Sequence, residues 1–228
     1  MNSRKKRTLM QKTVIFCLAF LHVLGMAKQT NAANREINTD SMLFQEVIIE
    51  LAGTAATEAH YFAGKKNRGV ILAPGAMFSK ESWHFLAARL QDLEISSLAL
   101  DSGSTPDLLN SIAFLKTKGV HKIAVVGASA GGAGVLSTLR DTPDPLVDRV
   151  VLLAPAGGIP LQNSTMKKLF IVAEDDMISS SAEVYKLYKS SSDPKLYREF
   201  KGSDHAQRLF ESEEKENIIQ LIIDFIQN

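Results

Sequence analysis

Cysteine is nearly missing from this sequence of 228 residues, in which Cys17 is the single example. It lies inside an N-terminal apolar run and lacks the small residues that precede a lipid-modified cysteine. If that run is removed, the remaining chain can form no disulfide and carry out no thiol chemistry. Such a chain suits an oxidising compartment such as a periplasm.

Long hydrophobic runs are also scarce, and the candidate at residues 13–27 is shorter than the roughly 20 residues that span a bilayer. It follows a start rich in Lys and Arg and precedes a stretch of small and polar residues, a layout typical of a secretory signal peptide. We therefore expect residues 1–33 to be a signal peptide, cut after Ala27, Ala32 or Ala33, and the protein to be secreted or periplasmic. An uncleaved membrane anchor is the alternative.

A surplus of positive charge is absent once this segment is set aside. The first 33 residues hold six of the 26 Lys and Arg residues and none of the 25 Asp and Glu residues. The rest therefore has 20 basic and 25 acidic residues, a net charge of about −5. No basic patch survives processing, so we expect no nucleic-acid partner. Because processing also removes the apolar run, we expect no stable membrane insertion afterwards.

What is present is an ordinary globular composition, with 45% hydrophobic and 22% charged residues. No segment has a disordered composition, and no repeat of solenoid period is found. Residues 34–228 are enough for one domain with a sizeable core and too few for two. We therefore predict a single domain over 34–228.

Strand-like and helix-like segments alternate along this domain. The predicted strands are 47–51, 58–62, 69–73, 96–100, 122–126, 149–154, 168–173 and 196–200. The predicted helices are 80–93, 104–118, one from Ala130 onward, 182–190 and 213–227. Because the strands are near-continuous apolar runs, the pattern predicts an α/β fold, a mostly parallel sheet with helices on both faces. In such sheets the functional residues lie at the carboxyl ends of the strands.

The segment Gly127-Ala-Ser129-Ala-Gly131-Gly132 stands between a predicted strand and a predicted helix. A serine on such a tight turn needs small neighbours, and the turn raises its hydroxyl above the sheet. The helix N-terminus behind it favours developing negative charge. Ser129 is therefore the candidate nucleophile, with a glycine-rich turn and an ordinary capping serine as the alternative.

A serine nucleophile needs a base, which is itself oriented by an acid. Among the four histidines beyond residue 33, His205 alone follows a strand at its carboxyl end. His60 and His84 are most simply surface or packing residues, and His121 precedes its strand. His205 is therefore the candidate base.

The candidate acid and the oxyanion donors come from two other loops. Residues 174–176, Glu-Asp-Asp, follow the strand 168–173, and the residues alone leave the choice among these three acids open. A tetrahedral intermediate also needs backbone N–H donors. We predict these to be Ala130, directly after the nucleophile, and Ala76 after the strand 69–73, with Met77 as the next choice.

Together these segments resemble the α/β-hydrolase superfamily over essentially all of residues 34–228, in the order serine, acid, histidine. The acid of that family usually ends a Gly-x-x-Asp pattern. Ala173-Glu-Asp-Asp176 matches it with alanine in place of glycine, which favours Asp176. The family's oxyanion turn is often His-Gly-x, whereas this chain has Pro74-Gly75-Ala76. Asp101 is interpreted as structural or pocket-lining.

The connection over residues 155–167 is too short for a helical lid. The resemblance is therefore to small lidless esterases and dienelactone-hydrolase-like enzymes. It implies hydrolysis of carboxylic-ester-type bonds in small-molecule or surface substrates by a Ser-His-Asp acyl-enzyme mechanism. It implies no cofactor and no metal, and an open site that disfavours long acyl chains.

Other functions fit parts of the same pattern. A thioesterase or peptidase uses the same triad, and a non-catalytic binding protein can share the fold. Gly127-x-Ser129-x-x-Gly132 also imitates the dinucleotide-binding G-x-G-x-x-G, but serine replaces the glycine that allows backbone approach to the pyrophosphate.

Overall fold

The computed structural model describes residues 44–51, 53–140 and 146–228. The predicted signal peptide, residues 1–33, and its candidate cut sites lie outside these ranges. Within the described ranges, no helix is both long and apolar enough to cross a membrane.

In the described part of the chain, eight strands form one sheet in the order β1-β2-β4-β3-β5-β6-β7-β8. The strands are β1 (Phe44–Ile49), β2 (Thr57–Phe62), β3 (Arg68–Ala73), β4 (Ser96–Leu100), β5 (Lys122–Ala128), β6 (Arg149–Leu153), β7 (Lys167–Ala173) and β8 (Lys195–Phe200). β2 pairs antiparallel with both β1 and β4, and every other pair is parallel. The predicted α/β fold with a mostly parallel sheet is confirmed.

Among the described residues, four α-helices lie between strands and a fifth follows β8. They are α1 (His84–Asp92), α2 (Thr105–Thr117), α3 (Ser129–Leu139), α4 (Ser181–Ser190) and α5 (Lys215–Gln227). Short 3₁₀ helices at Lys80–Trp83 and Ala206–Glu211 precede α1 and α5. Every residue of β3, β4 and β6 is buried. Because successive strand side chains point to opposite faces, the sheet is covered on both faces.

The first strand differs from its prediction by a shift toward the N-terminus. Residues 47–51 were expected, but β1 pairs with β2 from Phe44 to Ile49. It ends there because the chain turns at once: both the N–H and the hydroxyl of Thr54 donate to the carbonyl of Leu51, at 3.1 and 3.0 Å. The pattern of hydrophobic residues does not reveal these two hydrogen bonds, so it does not predict where the strand ends.

The start and end of α2 follow its local sequence. The Ser104 hydroxyl accepts a hydrogen bond from the N–H of Asp107, at 3.3 Å, and Pro106 lies in the first turn. Gly119, with φ of +78°, follows the helix. A serine cap, an early proline and a left-handed glycine are the expected boundary signals.

Four of the five connections between successive parallel strands contain an α-helix. The exception joins β6 to β7 through residues 154–166, which form bends and extended chain. No separate cap domain is found among the described residues. The loops at the carboxyl edge of the sheet are therefore left without a cover from this connection.

Candidate active site

Ser129 is the first residue of α3, directly after β5, and has φ of +46°. A left-handed conformation costs a residue other than glycine about 1–3 kcal/mol and is common at functional turns. Its surroundings are tight, since a Cβ on Gly131 would lie 2.4 Å from the carbonyl oxygen of Pro74. The N–H of Ala156 donates to the Ser129 carbonyl at 3.0 Å. The turn is thus held between the β3 and β6 loops.

His205 reaches the serine from the loop after β8. Its Nε2 lies 2.8 Å from Ser129 Oγ, and its Nδ1 lies 2.8 Å from Asp176 Oδ2 and 3.1 Å from Oδ1. An ionised carboxylate can only accept, so Nδ1 carries the ring proton and Nε2 accepts the serine hydroxyl. The three predicted side chains therefore form one continuous hydrogen-bonded relay.

Asp176 is fixed more firmly than the two acids before it. Its side chain is fully buried, and Oδ1 accepts from the N–H groups of Ile178 at 2.8 Å and Ser179 at 2.9 Å. Glu174 and Asp175 are exposed. The structure therefore joins His205 to Asp176, the acid that the family pattern favours.

The turn after β3 passes beside the serine. A Cβ on Gly75 would lie 3.2 Å from Ser129 Cβ. The N–H of Phe78 donates to the carbonyl of Gly75 at 3.0 Å and closes the turn around Ala76 and Met77. The predicted oxyanion donors therefore both lie near Ser129. Ala130 is the next residue along the chain, and Ala76 follows Gly75, which approaches the serine. Their role as donors stays a prediction.

Gln207 is a residue of this site that the sequence did not indicate. Its Oε1 accepts from the N–H of Gly75 at 2.7 Å, and its Nε2 donates to Ser82 Oγ at 2.6 Å. The side chain thus links the histidine loop to the β3 turn. A glutamine in a loop has no periodicity, and only its position two residues after the candidate base could have drawn attention to it.

Asp101 has a structural role, as the sequence predicts, because it holds Lys80 in place. Its carboxylate accepts from the Lys80 backbone N–H at 2.9 Å and from Lys80 Nζ at 2.6 Å. Burial alone would raise the pKa of Asp101, but the bonds from Lys80 outweigh it and hold the pKa below its ordinary value. This pair fixes the start of the 3₁₀ helix after the β3 turn.

His60 and His84 form a second cluster away from the triad. His60 Nδ1 lies 2.8 Å from His84 Nε2, and Phe44 stacks on the His60 ring at 4.2 Å. Burial lowers the pKa of both rings, and the neighbouring His60 lowers that of His84 further. Glu46 and Glu81 lie 3.9 and 4.0 Å from His60, too far to outweigh its burial. Both histidines are therefore packing residues, neutral at pH 7.

A groove of about 480 Å³ lies beside the triad, between the β6–β7 connection and α4. Its walls are mixed: Pro155, Pro160, Val184 and Leu187 are apolar, and Glu183 and Lys186 are among the polar residues. The groove also includes Ile178, whose N–H holds Asp176, and Ala156, whose N–H holds the Ser129 carbonyl. Its walls are thus bonded to two triad members.

No protein-family model matches the sequence, and no curated protein matches it either. Many solved structures are similar. An esterase from Exiguobacterium antarcticum has a TM-score of 0.65 and 10% identity, covering 81% of this chain and 100% of that one. Carboxylesterase CesB from Bacillus subtilis has a TM-score of 0.62 and 13% identity, covering 81% and 92%. A dienelactone hydrolase from Anabaena variabilis has a TM-score of 0.66 and 16% identity, covering 81% and 97%.

These likenesses, with the strand order and the serine turn after β5, identify the α/β-hydrolase fold. The expected resemblance in architecture is confirmed. Chemically, the site combines a strained, half-buried serine, an imidazole in position to remove its proton and a buried carboxylate that fixes the imidazole.

Proposed function

We propose that this chain is a serine hydrolase of carboxylesterase type. The observation that carries the proposal is the relay from Ser129 Oγ through His205 to Asp176, with both heavy-atom distances at 2.8 Å. A hydroxyl is a poor nucleophile at neutral pH unless an adjacent base removes its proton. The relay supplies that base in His205, and Ser129 lies on a turn that the fold raises above the sheet.

The reaction follows from these positions. His205 Nε2 takes the Ser129 proton while Oγ attacks the ester carbonyl. The backbone N–H groups of Ala76 and Ala130 hold the oxyanion, and His205 then gives its proton to the leaving alcohol. Water, activated by the same imidazole, releases the acid. Asp176 keeps the ring in the required tautomer and stabilises the imidazolium.

Three further observations support an ester substrate. The structural neighbours described above carry the names esterase, carboxylesterase and dienelactone hydrolase. The site has no cover from the β6–β7 connection, which suits small esters or esters presented on a surface. The groove between the β6–β7 connection and α4 includes Ala156, whose N–H donates to the Ser129 carbonyl, and is the candidate place for one substituent of the ester. A complete relay also disfavours the non-catalytic alternative, because a binding protein has no need of it.

The first prediction is that Ser129→Ala abolishes hydrolysis of 4-nitrophenyl butanoate and leaves the circular dichroism spectrum unchanged. Loss of a triad nucleophile removes on the order of 10⁶ in kcat. The wild-type protein should also be labelled at Ser129 by a fluorophosphonate probe. Ser203→Ala, an exposed serine in the His205 loop, serves as the matched control and should keep full activity.

Retained activity in Ser129→Ala would refute the assignment of the nucleophile. A wild-type protein that neither turns over esters nor reacts with the probe would support the binding-protein alternative. If the probe labels Ser129 but the protein strongly prefers thioesters or amides, the substrate class would be a thioester or an amide, and the proposed mechanism would stand.

Export of the protein is a separate proposal, supported by the sequence of residues 1–33 alone. Expression of the full chain in a bacterial host, followed by N-terminal sequencing of the periplasmic fraction, tests it. A mature start at residue 28, 33 or 34 is expected, and a full-length, membrane-bound product contradicts it.

A further inference from the structure

Gln207 is buried, at 4% exposure, and both ends of its amide are bonded. The N–H of Gly75 can only donate, so the oxygen of the amide must face it. The nitrogen then faces the Ser82 hydroxyl, which donates in turn to the Ser79 carbonyl at 2.6 Å. A flipped amide would set two donors against each other, so this orientation is the one the contacts allow.

The bond from Gly75 acts at a sensitive point of the turn. A Cβ on Gly75 would come within 3.2 Å of Ser129 Cβ and 3.6 Å of Gln207 Oε1, so the turn lies between the serine and the glutamine. The next N–H along the chain belongs to Ala76. The Gly75 N–H that Gln207 accepts belongs to the peptide between Pro74 and Gly75, which directly precedes the peptide that carries the Ala76 N–H. The carbonyl of that second peptide accepts from the N–H of Phe78, so both peptides have a hydrogen-bonded anchor.

The segment that carries the base also carries this anchor. His205 binds Ser129 Oγ, and two residues later Gln207 binds Gly75. Between them Ala206 is buried and has φ of +52°, a left-handed conformation that costs an alanine about 1–3 kcal/mol. The kink lets one short segment contact both the nucleophile and the turn beside it.

We propose that Gln207 is a positioning residue. It holds the turn after β3 through the N–H of Gly75 and so fixes the position of the N–H of Ala76, a predicted oxyanion donor. This inference rests on the proposed function. Gln207 touches no reacting atom and acts through the turn. Its loss leaves the serine and the base in place and loosens one oxyanion donor.

The second prediction follows for Gln207→Leu, which has a similar size but no amide. Loss of one oxyanion donor costs about 10²–10³ in kcat, and a loosened donor costs less, so we expect kcat to fall about 10-fold to 100-fold. KM should change little, because the donor acts on the tetrahedral intermediate. The affinity for a trifluoromethyl ketone, which forms a tetrahedral oxyanion adduct with the serine, should fall in parallel with kcat.

Three companion variants separate this role from a purely structural one. Gln207→Glu keeps an acceptor for Gly75 and should recover most of kcat. Ser82→Ala removes the far partner, should lower kcat by less, and should add little further loss to Gln207→Leu, because both changes release the same turn. Gln220→Leu, an exposed glutamine on α5, is the matched control and should leave kcat and inhibitor affinity unchanged.

The outcomes are distinguishable from failure of the proposed function. If the wild type hydrolyses esters and Ser129→Ala does not, the function stands. A folded Gln207→Leu protein with wild-type kcat and wild-type ketone affinity then overturns this inference alone. If Gln207→Leu does not fold, Gln207→Glu and Ser82→Ala decide: unchanged kcat in Ser82→Ala together with loss of kcat in Gln207→Glu overturns it. An inactive, unlabelled wild type overturns both.

Discussion

Among three consecutive acids, Asp176 alone has its carboxylate buried and bonded to the imidazole. Two backbone N–H groups, from Ile178 and Ser179, hold one of its oxygens. The carboxylate is therefore held by its own loop as well as by His205. Asp175 contributes only its backbone N–H, which donates to the Gly202 carbonyl at 3.0 Å.

The third prediction compares these neighbours. Asp176→Asn should lower kcat by about ten-thousandfold, because an amide at this position favours the wrong imidazole tautomer. Asp175→Asn should have little effect, since its exposed carboxylate has no partner in the relay. Steady-state rates with a 4-nitrophenyl ester measure both, and the reverse order would move the acid by one residue.

At this scale the sequence predicts the chemistry-bearing side chains better than their supports. Ser129, Asp176 and His205 stand in a recognisable order at strand ends, and the structure brings them together. Gln207 and the close approach of Gly75 to Ser129 are long-range contacts between loops. No local pattern encodes such contacts, because they depend on how two loops meet after folding.

Glycines on α3 allow the helix to pack closely against the backbone of neighbouring segments around the nucleophile. On α3, a Cβ at Gly131 would lie 2.5 Å from the Ala73 carbonyl oxygen, and one at Gly134 would lie 2.0 Å from that of Gly103. The helix therefore packs directly on the backbone of the β3 loop and of the segment before α2. This close packing is the physical reason for the run of small residues after Ser129 in the sequence.

The fourth prediction is that Gly134→Ala destabilises the protein. Alanine normally favours a helix interior over glycine by about 1 kcal/mol. Here the added methyl meets a carbonyl oxygen, and overpacking of this kind costs about 1–3 kcal/mol. Urea unfolding measures the difference, and Ser137→Ala, exposed on the same helix, should shift stability by less than about 0.5 kcal/mol. An unchanged or stabilised Gly134→Ala protein would show that α3 can move away at little cost.

Element types were predicted well because the central strands are buried on both faces and so are apolar throughout. Boundaries were predicted less well where a turn or a change of helix type sets them. The predicted helix over 80–93 begins as a 3₁₀ turn, Lys80–Trp83, which is fixed by the contact of Lys80 with Asp101 in the loop after β4. The antiparallel placement of β1 and β2 likewise depends on strand pairing and not on composition.

For the molecule as a whole, the His60–His84 pair links β2 to α1 and makes stability depend on pH. Burial holds the pKa of both rings below the ordinary value of 6.5, so the unfolded chain binds protons more readily than the folded one. Above about pH 7.5 both rings are neutral in the folded and in the unfolded chain, so the pair contributes no pH dependence there. As the pH falls below that value, the free energy of unfolding decreases. Two imidazolium rings would also lose the hydrogen bond, since neither could accept.

The fifth prediction is therefore a loss of stability between about pH 7 and pH 5.5, a range in which an ordinary histidine titrates. In the His84→Gln variant, which retains a hydrogen-bonding amide without a titrating ring, the decline should be shallower. His121→Gln, an exposed histidine at the amino end of β5, should leave the decline unchanged. Urea unfolding at each pH measures the free energy, and identical slopes in all three proteins would contradict this role of the pair.

The bare connection between β6 and β7 also makes the protein a convenient scaffold. Its two anchor points, Leu153 and Lys167, belong to neighbouring strands that pair in parallel over Arg149–Leu153 and Lys167–Ile171. The cost of closing a longer loop grows only slowly with its length. A grafted helical module could therefore roof the groove and reshape selectivity, while the sheet and the relay beneath it keep their geometry.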